Sequence, residues 1–304
     1  MAKRFDGKVA LITGGGSGIG AAAAQRIADE GGRVVLLGRR RESLTGVARQ
    51  CDGIAIVGDT TSPADIKSAV DQACAELGGL DILVVSAGTE QFGSVESISL
   101  PDWHRAFDVN LDGAMMAARA AIPAMRARGG GSIILISSVA ASAGAPSYAA
   151  YCASKAGLLG LSRSIAFDYG PENIRCNAMC PGWTLTEMAQ REIRDMAREK
   201  GIDPAQLQQE LTRAYPLRRM ARPDEMAAVV AFLASDDASF VTGTALRASM
   251  AAAASSMSAL CLSCNFQQWF SISDDYDFVF RYRSARSHVR WIIIGPWVCA
   301  VSVS

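Results

Sequence analysis

The chain is poor in histidine and carries no net charge. Its 304 residues include two histidines, His104 and His288. Neither lies in a Ser/Asp pattern, which argues against a hydrolase built on a catalytic histidine. Thirty basic and thirty acidic residues cancel to a formal charge of zero. The composition therefore gives no indication of a nucleic-acid or acidic-membrane partner.

Long apolar runs and an export signal are also lacking. The N-terminal residues lead straight into a predicted strand without a signal-peptide core. The longest apolar run, 291–303, is interrupted by Gly295-Pro296 and is too short to span a bilayer. The eight cysteines are scattered, and we expect reduced thiols in a cytoplasmic protein. Cys261-x-x-Cys264 has no second cysteine pair or nearby histidine, so we expect no metal site.

Up to about residue 246, short β-branched runs alternate with helical segments. The predicted strands are 8–13, 33–37, 54–57, 82–85, 132–137 and 174–179. The predicted helices are 19–30, one from Glu42, one after Pro63, 101–128 and 149–167. This alternation predicts an α/β fold with a doubly wound, Rossmann-like parallel sheet in one domain, 1–246. A final strand near 241–246 and the turn after it are left open.

A glycine-rich turn lies between the first predicted strand and helix. The segment Thr13–Gly20 reads Thr-Gly-Gly-Gly-Ser-Gly-Ile-Gly. Glycines permit a tight turn and close backbone approach, while the helix N-terminus offers free N–H groups to a phosphate. The alternative is an ordinary glycine-rich loop. The position directly after the first strand favours nucleotide binding.

Tyr151 and Lys155 lie four residues apart in a predicted helix, so both side chains lie on one helix face. A neighbouring ammonium favours the phenolate, and we expect Lys155 to lower the pKa of Tyr151 toward the working range. The pattern alone also fits a solvated helix face. Ser138, thirteen residues before Tyr151, adds a hydroxyl that can bind a reacting oxygen.

Together these motifs resemble the short-chain dehydrogenase/reductase family over residues 7–246. The glycine turn matches the family's Thr-Gly-x-x-x-Gly-x-Gly pattern, and Ser138, Tyr151 and Lys155 match its catalytic Ser and Tyr-x-x-x-Lys. Asn110 matches its helix asparagine, which holds a backbone kink and a water beside the lysine.

Two further segments bear on the resemblance: the first supports it, and the second departs from the family's pattern. Pro181-Gly182 with Thr186 matches the family's segment after the sixth strand, where it approaches the nicotinamide. Ser86-Ala87-Gly88 lies where the family usually has Asn-Asn-Ala-Gly, and Val85 and Ser86 replace both asparagines. That departure bears on support of the cofactor ribose and leaves the chemistry untouched.

The resemblance implies hydride transfer between a nicotinamide and a ketone or secondary alcohol, with Tyr151 as general acid/base. Lys155 would hold the ribose, and Ser138 would bind the reacting oxygen. The implied catalytic residues are Asn110, Ser138, Tyr151 and Lys155. The implied cofactor-binding residues are Gly14, Ser17, Gly18, Ile19, Gly20, Arg39, Asp59, Thr60, Ser86, Ala87, Gly88, Asn110, Tyr151, Lys155, Pro181, Gly182 and Thr186. Two nearby residues do not match the pattern. Ser137 is one position out of register with the family's serine, and Tyr148 has no lysine four residues after it.

The end of the second strand bears on the cofactor. An acidic residue there would bind the adenosine ribose of NAD, whereas this chain has Gly38 followed by Arg39 and two more arginines. Arg39 could pair with the 2′-phosphate of NADP, or simply begin a solvated basic helix. Neutral Ser17 weakens the case for NADP, because the family often has a basic residue there. We expect NADP(H), with NAD(H) possible. Asp59 resembles the family residue that contacts adenine.

Substrate and assembly are less well determined by sequence. Segments 89–92, 140–147 and 183–215 are expected to surround the pocket, the last as a helical lid. Its Trp183, Met188 and Met196 fit either an apolar substrate or a packed lid interior. The family usually forms homodimers or homotetramers. Two alternatives stay open: a catalytically silent dinucleotide sensor, and the defective product of a frameshifted gene.

The frameshift alternative comes from the segment beyond residue 246. Of 28 glycines only Gly295 lies there, although three of the five tryptophans do. The family normally ends with an Asp-Gly-Gly turn, and Arg247–Ala251 departs from it. Suppose that these five codons are CGG, GCN, TCG, ATG and GCG. Translation in the frame that starts at the third base of the Arg codon then gives Gly, an apolar residue, Asp and Gly. We therefore interpret 247–304 as an atypical, frameshift-derived tail; a genuine extension is the alternative.

Sequencing the coding DNA tests this hypothesis. We expect an added or missing base near codon 246, with the other frame continuing into Asp-Gly-Gly. A single frame whose codons for 247–251 cannot encode that turn when shifted would contradict it.

Overall fold

The computed structural model describes residues 3–213, 215–249, 278–284, 287–293 and 299–303, with side chains up to residue 249. The chain divides into two compact units, Met1–Ala251 and Ala252–Ser304.

The first unit alternates strands with helices. Its strands are β1 (Val9–Thr13), β2 (Arg33–Gly38), β3 (Ile54–Val57), β4 (Ile82–Val85), β5 (Gly131–Ile136), β6 (Ile174–Pro181) and β7 (Ala245–Ala248). Its helices are α1 (Gly18–Asp29), α2 (Arg41–Cys51), α3 (Pro63–Leu77), α4 (Leu100–Phe107), α5 (Gly113–Ala127), α6 (Ala140–Ala143), α7 (Ala149–Tyr169), α8 (Glu187–Lys200), α9 (Pro204–Arg213) and α10 (Pro223–Ala234).

The seven strands form one parallel sheet in the order β3-β2-β1-β4-β5-β6-β7. The predicted doubly wound fold is confirmed, and the first six predicted strands match the observed ones to within two residues. The seventh strand, which the sequence left open, pairs with β6 from Ala178↔Ala245 to Pro181↔Ala248. Strand order reverses at β1 and β4, which leaves a crevice at their carboxyl ends.

The core lies on both faces of this sheet because successive strand residues point in opposite directions. In β1, Val9 and Leu11 join a cluster with residues of α3, α5 and α7, whereas Ala10 and Ile12 join a second cluster with residues of α1 and α10. All five β1 residues are buried. Burying each large apolar side chain contributes about 1.5–3 kcal/mol, so both helix layers are held to the sheet.

The predicted helix 101–128 is divided into three parts. It consists of α4, a π-helical turn over Asp108–Asp112 and α5. Helical periodicity gave no sign of this break, whereas the family resemblance implied a backbone kink at Asn110, which lies within the turn. The turn places Asn110 inward, where it is 1% exposed.

The Asn110 side chain joins three elements. Its Oδ1 accepts a hydrogen bond from the Thr89 backbone N–H at 2.8 Å. Its Nδ2 donates to the Thr89 carbonyl at 3.0 Å and to Ser154 Oγ at 3.0 Å. Thr89 follows β4 and Ser154 lies in α7. The amide therefore ties the π-helical turn to the segment after β4 and to the helix that carries Tyr151.

The second unit contains three described strands. They are β8 (Phe278–Ser284), β9 (Ser287–Ile293) and β10 (Cys299–Val303), and they form an antiparallel sheet in the order β10-β9-β8. Most of the segment on which the frameshift hypothesis depends, including Cys261 and Cys264, lies outside the described residues. That hypothesis stays a prediction.

Replacing Asn110 with alanine tests the tie between these elements. The change leaves the Thr89 backbone and the Ser154 hydroxyl without their buried partner, so we expect Asn110→Ala to lower the free energy of unfolding by about 2–4 kcal/mol. Urea denaturation followed by circular dichroism measures it. Asp112→Ala alters an exposed residue of the same turn, and we expect an effect within about 0.5 kcal/mol. Equal losses in the two variants would contradict a specific role for the amide.

Candidate active site

The predicted cofactor and catalytic residues lie in or next to the segments at the carboxyl ends of the strands. The glycine turn follows β1, Arg39 follows β2, and Asp59 and Thr60 follow β3. Ser86–Gly88 follow β4, Ser138 follows β5, and Pro181 ends β6 ahead of Gly182 and Thr186. Asn110, Tyr151 and Lys155 reach the same region from the π-helical turn and α7. The parallel sheet thus gathers distant parts of the sequence at one crevice.

Glycine is required at two positions of the turn. Gly14 has φ +66°, and a Cβ there would lie 2.7 Å from the Ala87 backbone nitrogen. A Cβ on Gly20 would lie 2.5 Å from the Gly14 carbonyl oxygen. Neither position admits a side chain without movement of the backbone. The turn is therefore a bare backbone cradle at the N-terminus of α1, which is suited to a phosphate.

The segment after β4 closes against this turn. The Ala87 N–H donates to Thr13 Oγ1 at 3.2 Å, and the Ser86 N–H donates to the Thr13 carbonyl at 3.2 Å. Farther along, a Cβ on Gly88 would lie 3.3 Å from both Asn110 Oδ1 and Lys155 Nζ. Gly88 therefore lets the backbone approach the proposed catalytic groups closely.

Ile19, Thr60 and Thr186 are three other cofactor candidates. Ile19 packs against the cluster formed with α1 and α10, and Thr60 is buried. Thr186 caps α8 by accepting a hydrogen bond from the Ala189 N–H at 3.2 Å. Its methyl group lies 3.1 Å from where a Cβ of Gly18 would be. The start of α8 therefore lies directly beside the glycine turn.

Two of the arginines after β2 have different partners. Arg39 is exposed and acts electrostatically on Asp59. Partial burial raises the pKa of Asp59, but hydrogen bonds from Thr61 and the charge of Arg39 outweigh it and leave that pKa below its ordinary value. Arg40, which sequence reasoning missed, donates to Ser17 Oγ at 2.9 Å and pairs with Glu187 at 3.0 Å. Arg40 is thus the arginine bonded to the glycine turn.

Ser138 acts on the Tyr151 phenol by lowering its pKa. Ser138 Oγ accepts a hydrogen bond from the Ala140 N–H at 3.1 Å, at the start of α6. Ser137, the neighbour set aside on sequence grounds, is buried and donates to the Lys155 carbonyl at 2.8 Å. Tyr148 packs edge-on, with its ring centroid 6.0 Å from that of Tyr151.

Lys155 is buried among polar and aromatic groups. Its Nζ donates to the Ile136 carbonyl at 2.8 Å and lies 5.7 Å from the centre of the Tyr151 ring. Burial lowers the pKa of Lys155 to about 8, although the charge of Glu90 opposes that change.

The expectation that Lys155 lowers the pKa of Tyr151 is wrong in this structure. Burial raises the pKa of Tyr151 to about 12, and the hydrogen bond with Ser138 only partly offsets it. The negative charge of Glu90 raises it further. Removal of the phenol from water is therefore the largest effect on this pKa. The Lys155 ammonium is itself bonded to the Ile136 carbonyl.

Two acidic residues, Glu90 and Glu192, are a feature that sequence reasoning missed. They come from the segment after β4 and from α8, and each affects the pKa of the other. Burial and the charge of Glu90 raise the pKa of Glu192 to about 8. One signal was available: Glu192 lies at helical spacing among the buried Ala189, Ile193 and Ala197, an unusual place for a carboxylate.

The expected lid consists of α8 and α9. Ala189, Ile193, Ala197 and Leu207 of these helices form an apolar core with Met220, and Trp183 and Met196 pack against that core. For these last two residues the structure favours a packed interior over contact with an apolar substrate.

Within the described part of the chain, no three His, Cys, Asp or Glu side chains come together in a way that could hold a metal ion. The cysteines whose side chains are described, Cys51, Cys74, Cys152, Cys176 and Cys180, are free thiols. Among the described residues, no helix has the length and apolar character needed to cross a membrane.

Comparison with known proteins identifies the family. A family model described as enoyl-(acyl carrier protein) reductase matches residues 14–249. Oxidoreductase UcpA of Escherichia coli O157:H7 is 38% identical over 248 residues, covering 79% of this chain and 92% of that protein.

Solved structures agree with this assignment. NAD+-bound xylitol dehydrogenase matches with a TM-score of 0.77 and 33% identity, covering 81% of this chain and 99% of that one. L-Sorbose reductase of Gluconobacter frateurii, complexed with NADPH and L-sorbose, matches with a TM-score of 0.78 and 31% identity, covering 82% and 98%. The glycine turn and the Tyr-x-x-x-Lys pair of this chain lie at the crevice of such a sheet. The chain belongs to the short-chain dehydrogenase/reductase family.

Proposed function

We propose that this member of an oxidoreductase family interconverts a ketone and a secondary alcohol, using NADP(H) and Tyr151 as general acid/base. The observation that carries the proposal is the position of Lys155 beside Tyr151, with its Nζ 5.7 Å from the ring centre, at the carboxyl edge of the sheet where Ser138 follows β5. A bound nicotinamide dinucleotide would supply the hydride donor or acceptor. The bare glycine turn at the start of α1 suits its pyrophosphate.

The chain's own residues account for the proton transfer. Ser138 orients the substrate oxygen toward the phenol and stabilises charge that develops on it. A pKa of Tyr151 near 12 keeps the phenol protonated at neutral pH, which is the form that donates a proton to a carbonyl during reduction. Lys155 lies beside the ring and offers a positive charge to the phenolate that forms. Asn110 fixes α7 and the segment after β4 relative to each other.

Two arginines support NADP(H) over NAD(H). The residue at the end of β2 is Gly38, so no carboxylate there would repel a 2′-phosphate. Arg39 lies beside Asp59, and Arg40 is bonded to Ser17 in the glycine turn. Arginine suits a phosphate because its guanidinium can donate two parallel hydrogen bonds. The related structures named above contain NAD+ in one case and NADPH in the other.

Tyr151→Phe tests the catalytic role. Loss of the phenol removes proton transfer, so we expect kcat for carbonyl reduction to fall about 10²- to 10⁴-fold. Cofactor affinity, measured by fluorescence titration, should stay within about threefold, because the hydroxyl contributes little to dinucleotide binding. Tyr148→Phe is the matched control and should keep kcat within about threefold. Substantial turnover by Tyr151→Phe, or cofactor binding without turnover of any carbonyl by the wild-type protein, would favour the silent sensor instead.

Alanine variants of the arginines test cofactor choice. Losing a charged hydrogen bond to the 2′-phosphate should raise the Kd for NADPH about tenfold or more in Arg39→Ala and Arg40→Ala. The Kd for NADH, which has no such phosphate, should change less than about threefold. Arg41→Ala removes an exposed charge from the start of α2 and serves as the control. Equal weakening of NADPH and NADH would refute the assignment to NADP(H).

A further inference from the structure

Two consecutive residues at the end of β5 bind both ends of Lys155. The Ile136 carbonyl accepts a hydrogen bond from Lys155 Nζ at 2.8 Å. The Ser137 hydroxyl donates to the main-chain carbonyl of Lys155, also at 2.8 Å. Ser137 is 3% exposed and Lys155 is 5% exposed, so little water competes for either bond. Lys155 therefore cannot move along the strand end, or away from it, without losing one of these bonds.

The Ser137 bond differs from the ordinary serine bonds of helix α7. Ser154 donates to the Tyr151 carbonyl at 2.9 Å, three residues back in the same helix. Ser162 bonds to the Leu159 carbonyl in the same way at 3.0 Å. Such local bonds do not fix a helix relative to its neighbours. Ser137 instead lies outside α7, 18 residues before its acceptor, so its hydroxyl ties the helix to the end of β5.

The helix does not need this hydroxyl to complete its own hydrogen bonds. Lys155 lies inside α7, which runs from Ala149 to Tyr169. A carbonyl in that position already accepts the N–H group four residues farther along. It has a second lone pair, which the Ser137 hydroxyl occupies. The bond therefore serves the relation between the strand end and the helix.

Apolar packing alone defines that relation loosely. Leu158 and Ile165 of α7 belong to the cluster that covers one face of the sheet, but apolar contact has no direction and tolerates sliding of a helix. A hydrogen bond fixes both a distance and a direction. Ser137 is itself held, because its N–H donates to the Met179 carbonyl of β6 at 2.7 Å. Its hydroxyl therefore transmits the position of the sheet to Lys155.

The backbone that holds Lys155 continues directly into the proposed active site. Ser138, which would bind the reacting oxygen, is the residue after Ser137. One short stretch of chain thus carries Ser138 and holds the helix that bears Tyr151 and Lys155. A displacement of about 1 Å between reacting groups costs about 100-fold in rate. The register between this stretch and α7 therefore matters to the chemistry.

We propose that Ser137 is a positioning residue: its hydroxyl holds Lys155, and with it Tyr151, in register with Ser138. Ser137 acts through Lys155 and needs no contact with substrate or cofactor. This inference rests on the proposed function and adds a residue to it.

Ser132 provides a matched control in the same strand. It is also 3% exposed, and its hydroxyl donates to the Leu233 carbonyl of α10 at 2.9 Å. Ser132→Ala and Ser137→Ala thus each remove one buried bond from a β5 serine to a helix carbonyl. We expect each change to lower Tm by about 2–6 °C. A difference between the two variants at the active site then reports positioning rather than stability.

Titration of Lys155 measures positioning without a substrate. Lysine labelled with 13C at the ε-carbon is followed by NMR, and Lys155→Met assigns the signal. Burial lowers the pKa of Lys155 to about 8, and Glu90 and Cys180 act on it in the opposite direction. In Ser137→Ala the helix moves more freely and water reaches the ammonium, so this pKa should rise by about 0.5 or more. In Ser132→Ala it should change by about 0.2 or less, because that site is remote. The lysines of the chain are Lys3, Lys8, Lys67, Lys155 and Lys200.

Kinetics measure the consequence for catalysis. Reduction of butane-2,3-dione, cyclohexanone and acetophenone is followed with NADPH and with NADH. Ser137→Ala should lower kcat about tenfold and keep the cofactor Kd within about threefold, because positioning acts on the transition state. The primary isotope effect with cofactor deuterated at the transferred position should rise, since hydride transfer then limits the rate more fully. Ser132→Ala should keep kcat within about twofold, and Ser137→Thr, which restores the hydroxyl, within about threefold of wild type.

The outcomes keep this inference apart from the proposed function. If either measurement fails to distinguish Ser137→Ala from Ser132→Ala, the inference is wrong and the oxidoreductase function stands. If circular dichroism shows that Ser137→Ala does not fold, Ser137→Cys, of similar size with a weak donor, replaces it in both measurements with the same expected directions. If the wild-type protein binds cofactor but reduces no ketone, the proposed function fails, and the titration still decides whether Ser137 holds Lys155.

Discussion

Burial of the central strands on both faces is the constraint on which the rest of the structure depends. Val9 and Leu11 of β1 pack against one helix layer, and Ala10 and Ile12 pack against the other. With both faces covered, the strand ends are the places where polar chemistry can reach solvent. Residues that must act together therefore collect at the carboxyl edge, even when more than a hundred positions separate them in the chain.

Withdrawal from water is the dominant electrostatic effect at the active site. Burial raises the pKa values of Tyr151 and Glu192 and lowers that of Lys155, so it moves each group toward its uncharged form. Neighbouring groups modify this effect. Ser138 lowers the pKa of Tyr151, and the Ile136 carbonyl accepts a hydrogen bond from the Lys155 ammonium at 2.8 Å. The result is a closely spaced set of groups whose proton affinities respond to small changes in solvation.

Helix α8 links the two halves of the crevice. At its start, Thr186 lies against Gly18 and Glu187 pairs with Arg40. Six residues beyond Thr186, a rise of about 9 Å along a helix, the same helix buries Glu192 among Ala189, Ile193 and Ala197. One helix thus joins the glycine turn to the apolar core that it forms with α9.

Local sequence determined the strands, the glycine turn and the Tyr-x-x-x-Lys spacing, because apolar period and glycine position act over a few residues. The fold and the family could be predicted from these alone. Tertiary structure decided what depends on residues far apart: the π-helical turn held by Asn110 against Thr89 and Ser154, and the bond from Arg40 to Ser17. It also decided the direction of the Tyr151 pKa and the burial of Glu192. Burial and proximity set these properties, and neither can be read from spacing along the chain.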